Sequence, residues 1–122
     1  MPKKDSFIIN RLKSIGYAFK GAVILVTTEA SIQVQFCIGI IMTLVGFYFE
    51  ISPTEWLIQI GTIGLIMALE GLNTAIEEVA NFVHPEFNTK IGLIKDMAAG
   101  AVFIFAITAI IIGCIIYIPK IF

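Results

Sequence analysis

The sequence predicts an all-α membrane protein, with three transmembrane helices preceded by an N-terminal amphipathic surface helix. Three observations predict it. The chain is 58% hydrophobic and only 14% charged, with a mean hydropathy of +0.96; an ordinary soluble domain is about 45–50% apolar and about 25% charged. Apolar runs near bilayer length recur three times, separated by short polar connections. Seven of the eight Lys and Arg residues fall on one side of those runs. With 122 residues, a single domain over 1–122 is expected. A net charge of −1 gives no reason to expect nucleic acid as a partner. Cys37 and Cys114 both lie inside apolar runs, without a nearby metal partner, and read as free thiols. No signal peptide is expected, because the first twenty residues carry charges throughout.

Residues 1–6 are polar and expected to fray. Over residues 7–28 a surface helix is expected. Ile8, Leu12, Ile15 and Phe19 recur at helical spacing, and Arg11, Lys13, Ser14 and Lys20 lie largely off that stripe. A basic amphipathic helix ahead of a span reads as lying in the interface plane. Thr27-Thr28-Glu29 interrupts the apolar pattern, and the first span follows at about 32–49, with Gln33 and Gln35 near its start. Pro53 ends that segment, with Ser52 or Thr54 able to cap the next helix and Trp56 suited to the interface. The second span is expected at about 56–82, longer than the bilayer needs. A connection over 83–95 contains His84-Pro85, Lys90 and Lys95. The third span, about 97–118, starts with Asp96 as an N-cap and with small residues that permit close helix approach. Pro119-Lys120 closes it.

Orientation follows from the basic residues. With three spans, Lys3, Lys4, Arg11, Lys13, Lys20, Lys90 and Lys95 share a side and only Lys120 is opposite. The positive-inside rule makes that side cytoplasmic, with Glu29, Glu70 and Glu77 on it.

The polar residues of the second long helix suggest chemistry. Glu70, Asn73 and Glu77 stand at i, i+3 and i+7, which stacks two carboxylates and an amide on one face. Residues 57–69 span only about 20 Å, so Glu70 falls near the inner edge of the hydrocarbon, where carboxylates are costly. Mg²⁺ takes hard oxygen ligands, one or two carboxylates plus substrate phosphates. Glu29 and Glu77 could meet around such an ion. Phosphoryl transfer needs those ligands, a cation such as Lys95, and a base near the attacking hydroxyl. Glu70 is the best base, because partial loss of water favours its taking a proton, and Asn73 could hold its carboxylate. No P-loop or protein-kinase signature is present. Plainer readings compete. Glu78 reads as solvated, Tyr17 as an interfacial aromatic and His84 as structural. Glu29 reads equally as a helix end, and Lys95 equally as a membrane anchor. A small proton-coupled transporter or channel is the rival class, although its carboxylates usually sit near the midplane. A catalytically inactive assembly protein is a third reading.

The stretch Glu70-x-Leu72-Asn73-Thr74-Ala75-Ile76-Glu77 resembles the signature of the small bacterial integral-membrane diacylglycerol kinases and their undecaprenol kinase relatives. Gly16-Tyr17, Glu29-Ala30, Trp56, Glu86, Lys95-Asp96-Met97 and Ala101-Val102 follow in the same order, so the resemblance covers nearly the whole chain. The run 95–102 and the closing Pro119-Lys120 are more similar to the undecaprenol kinase branch. The resemblance implies a homotrimer of three-span subunits with composite sites, passing the γ-phosphoryl of MgATP to a lipid hydroxyl. Carried over residue by residue, Glu70 would accept the proton and touch the lipid, and Asn73 would support it. Glu29 and Glu77 would bind Mg²⁺ and nucleotide. Tyr17, Glu86, Asn88, Lys95 and Asp96 would contact ATP, and Ala99 would contact the lipid. Two departures stand out. The signature ends Ala80-Asn81 where the family usually has Val-Asp. Ser31-Ile32-Gln33-Val34-Gln35 replaces a segment that in the diacylglycerol kinases carries an Arg and a second Glu.

Overall fold

The computed structural model describes residues 6–86 and 88–122. Lys3 and Lys4, the expected fraying of residues 1–5, and Phe87 lie outside the described residues. All four elements are helices, α1 (Phe7–Thr28), α2 (Ala30–Tyr48), α3 (Pro53–Val83) and α4 (Thr89–Ile121), and no strand occurs among the described residues. α2, α3 and α4 are each long and apolar enough to cross a membrane.

Ser6, expected to fray, instead caps α1, its Oγ accepting from the Ile9 N–H at 3.3 Å. α1 then runs unbroken to Thr28, with no buried residue among those described. A single residue separates it from α2. Glu29 is extended (φ −99°, ψ 116°); its N–H donates to the Leu25 carbonyl and its own carbonyl accepts from the Gln33 N–H, both at 3.0 Å. Thr27 and Thr28 turn their hydroxyls back onto the carbonyls of Val23 (2.7 Å) and Ile24 (2.6 Å). Gln33 crosses the break, donating from Nε2 to the Val26 carbonyl at 3.1 Å.

The α2–α3 turn closes with helix-terminating hydrogen bonds of the Schellman type. The Ile51 N–H donates to the Gly46 carbonyl and the Glu50 N–H to the Phe47 carbonyl, both at 3.2 Å. Glu50 takes the left-handed conformation, φ 51°, that this closure requires and that glycine would adopt without strain. Ser52 and Glu55 then form a reciprocal capping box, with Pro53 at the first helical position. Gly46 admits the Trp56 indole so closely that a Cβ there would lie 2.7 Å from Cη2. Ile51, Ile116 and Tyr117 form the core at this end, with Met42, Val45, Phe49, Trp56 and Ile112 against them. Gln59 is buried among them. Its Nε2 donates to the Met42 carbonyl at 2.9 Å and its Oε1 accepts from the Tyr117 hydroxyl, the side-chain glue expected between helices in lipid. α4 passes through Pro119 to Ile121 rather than ending before it, and Lys120 reaches Glu55 at 2.9 Å.

α4 starts seven residues before Asp96, at Thr89, and its N-cap is Asn88, whose Oδ1 accepts from the N–H groups of Lys90 (2.9 Å) and Ile91 (3.3 Å). This corrects the reading of 83–95 as a connection and of Asp96 as the cap. Ile91 and Ile94 pack toward Val79, Ala80 and Val83 of α3 around an apolar hollow of about 360 Å³, and that packing outweighs the helix-weakening Gly92. α3 and α4 are therefore about 46 and 50 Å long at 1.5 Å per residue. Both exceed a hydrocarbon core of about 30 Å.

Candidate functional site

At the end of the bundle away from the α2–α3 turn, α3 presents Glu70, Asn73 and Glu77 on one stripe, all half-buried. α3 is unbroken here, so the sequence spacing translates directly into a column of oxygens. Asn73 Nδ2 donates to Glu77 Oε1 at 3.5 Å, a long bond. The carboxylate fixes the amide's orientation, since only the NH₂ can donate to it. Asn73 Oδ1 is thereby turned inward, where it is buried and meets no donor among the described residues. Such an atom costs about 1–3 kcal/mol.

Glu29 is placed by the α1–α2 joint. Neither of its side-chain oxygens caps α2. It lines an open groove of about 500 Å³ between α1 and α3, together with Thr28, Gly71, Thr74 and Glu78. Gly71 forms part of the floor; a Cβ there would lie 2.9 Å from Leu25 Cδ1, so the small residue lets α1 approach α3 directly after Glu70. Within the chain the groove thus joins Glu29 to the exposed Glu78, which the spacing of the stripe does not select, while Glu77 turns to Asn73. Among the described residues, no three of His, Cys, Asp and Glu converge as a metal site.

Glu86, Asn88, Lys95 and Asp96 come together around a polar hollow of about 330 Å³ at the head of α4. The early start of α4 does this: it puts Lys95 and Asp96 on a rigid helix and shortens the connection to a few residues. His84 Nδ1 is 2.8 Å from the Glu86 carbonyl, which can only accept, so the ring donates there and holds the connection. Lys95 Nζ donates to Asn81 Oδ1 at 2.5 Å, tying α4 to the last turn of α3. No periodicity could have found that pair. Tyr17 is 73% exposed on α1 and Ala99 is exposed on α4. Neither lines the groove or the polar hollow.

Fold and site together define a small helical membrane protein with carboxylates, an amide and a lysine gathered at one end of the bundle. Residues 16–117 match the prokaryotic diacylglycerol kinase family. The chain is 36% identical over 113 residues to the undecaprenol kinase of Bacillus subtilis, covering 92% of each chain. To the diacylglycerol kinase of Escherichia coli K12 it is 29% identical over 105 residues, covering 86% of each. To that of Synechocystis it is 30% identical over 112 residues, covering 91% of this chain and 64% of the other. The chain belongs to the prokaryotic diacylglycerol kinase family, whose members are lipid kinases.

Proposed function

We propose that this chain transfers the γ-phosphoryl group of MgATP to the hydroxyl of a membrane lipid at the cytoplasmic face of the bacterial inner membrane. Undecaprenol is the preferred acceptor over diacylglycerol. The observation that carries the reading is the joining of Glu86, Asn88, Lys95 and Asp96 in one polar hollow at the same end of the bundle as the Glu70–Asn73–Glu77 stripe, in a chain of this family. The higher identity and coverage against the undecaprenol kinase support the choice of lipid.

The chemistry is a displacement at phosphorus. The lipid oxygen bonds to the γ-phosphorus, the bond to the oxygen bridging the β-phosphorus breaks, and ADP leaves. Glu70 takes the proton of the lipid hydroxyl, and its place near the hydrocarbon edge suits a buried alcohol. Asn73 holds Glu77, and its inward Oδ1 is available to a donor brought by a ligand or a neighbouring subunit. Hard carboxylate oxygens fit Mg²⁺, and Glu29 and Glu77 would hold it, across subunits of a homotrimer. When bound, the ion neutralises charge on the phosphates. Tyr17, Glu86, Asn88, Lys95 and Asp96 hold the nucleotide, and Ala99 borders the lipid. α1 lies on the bilayer surface, with its exposed Phe7, Ile8, Leu12, Ile15 and Phe19 in the headgroup layer.

The test is turnover of γ-labelled ATP with undecaprenol and diacylglycerol in the same bilayer. Labelled lipid is expected from both, more from undecaprenol, and Glu70→Gln should lower it about 10²–10⁴-fold. Unlabelled lipids, or a Glu70→Gln protein matching the wild type, would overturn the proposal.

A further inference from the structure

We propose that the Thr74 hydroxyl binds the acceptor alcohol, donating a hydrogen bond to the lipid hydroxyl oxygen while Glu70 takes that hydroxyl's proton. The inference rests on the reading of Glu70 as the base.

Thr74 differs from the other threonines of the helix interiors. Thr27, Thr28, Thr43, Thr62 and Thr108 each turn the hydroxyl back onto the carbonyl four residues earlier, at 2.6–3.0 Å. That is how a threonine satisfies itself inside a helix. Thr54 and Thr89 stand in first turns, before which the helix offers no such carbonyl. Thr74 has helix on both sides, yet its hydroxyl makes no hydrogen bond among the described residues. It is only 8% exposed. A hydroxyl withdrawn from water without a partner is costly. The surface that Thr74 does show lines the groove between α1 and α3.

The rest of the groove selects the ligand. The carboxylates of Glu29 and Glu78 line it, and no Lys, Arg or His is among its lining residues. Thr28 commits its hydroxyl to the Ile24 carbonyl, so Thr74 carries the uncommitted side-chain donor. Ile24, Leu25 and Ala75 supply hydrocarbon. Acceptors, one donor and an apolar wall suit a neutral alcohol on a hydrocarbon chain, whereas an anion would meet like charge. Glu70 stands one turn before Thr74 on the unbroken α3, at the i, i+4 spacing that sets Cβ atoms about 5–6 Å apart on one face. One oxygen can reach both side chains. An alcohol oxygen has one hydrogen and two lone pairs. The hydrogen goes to Glu70, and one lone pair accepts from Thr74. The other lone pair is then held for the γ-phosphorus. It forms the new bond as the bond to the bridging oxygen breaks; the proton ends on Glu70 and Thr74 keeps its own.

Thr74→Val keeps the shape and removes the hydroxyl, and Thr74→Ser keeps the hydroxyl. Full-length protein in nanodiscs, with undecaprenol and MgATP varied in turn, gives KM and kcat for each substrate. We expect Thr74→Val to lower kcat/KM for the lipid about tenfold, the scale of one lost hydrogen bond. The KM for MgATP should stay within about twofold and the SDS unfolding midpoint should be no lower than the wild type, while Thr74→Ser should keep lipid kcat/KM within about threefold. A purely structural role would instead lower the midpoint and move both substrates together. Unchanged lipid kinetics in Thr74→Val, or a loss in Thr74→Ser as large as that in Thr74→Val, would overturn the inference and leave the kinase reading intact. A wild type that labels no lipid sinks both. Should Thr74→Val not fold, Thr74→Ala is read by the same split between lipid and nucleotide.

Discussion

The two ends of the helical bundle are built on opposite terms. At the α2–α3 turn the capping and core polar groups are paired within the chain. The turn carbonyls are closed, Ser52 and Glu55 cap each other, Gln59 is bonded on both sides, and Glu55 also meets Lys120. At the other end the polar stripe of α3 is incompletely paired. Asn73 reaches Glu77 at 3.5 Å and leaves Oδ1 without a donor among the described residues, and α1 contributes no buried residue among those described. The first end is complete within one chain and needs no ligand. The second carries a buried oxygen, Asn73 Oδ1, left without a donor among the described residues, a feature common at functional sites.

This contrast can be broken by substitutions at each end. After Glu70→Gln, the largest effect is expected from Glu77→Gln, which should lower lipid phosphorylation about 10²–10³-fold, the scale for removing one well-placed electrostatic group. Its unfolding midpoint in SDS titration should stay close to the wild type. At the finished end the signs reverse. Gln59→Leu strands the Tyr117 hydroxyl in the core and should cost about 1–3 kcal/mol by SDS unfolding, with unchanged turnover on the folded protein. The double variant with Tyr117→Phe should recover most of that loss, because no polar group is then left unpaired. Asn73→Ala sharpens the comparison further. It removes the orphaned oxygen and should leave the fold unharmed or stabilised by about 1 kcal/mol while phosphorylation falls, a trade between stability and activity. The smallest effect belongs to Glu50→Gly, which relieves the left-handed strain in the turn. A gain of about 1 kcal/mol with no kinetic change is expected, since that turn is at the end away from the site.

Much of this architecture was legible because the deciding signals are local. Apolar runs mark the three long helices, Pro53 with Ser52 or Thr54 as a cap marks the start of α3, and the spacing of Glu70, Asn73 and Glu77 marks a stripe. The start of α4 was not legible. Residues 89–95 hold Gly92 and two lysines and look like a polar connection, and only the packing of Ile91 and Ile94 against α3 makes them helical. That error displaced the cap from Asn88 to Asp96. The partners of Lys95 and Tyr117 were hidden for a related reason. Asn81 is 14 residues from Lys95 and Gln59 is 58 from Tyr117, and each pair joins two different helices, so no periodicity within one helix relates them. Glu78 is exposed, in keeping with its reading as a solvated residue, and it also borders the open groove between α1 and α3, which no spacing within α3 could reveal.

The one-residue joint at Glu29 has a mechanical corollary. With no slack between α1 and α2, and with Gln33 latching the break, a tilt of the first helix must swing that carboxylate like the pin of a crank. The 22 residues of α1 make a long lever arm, so a small rotation at the joint moves the far end of the helix a long way.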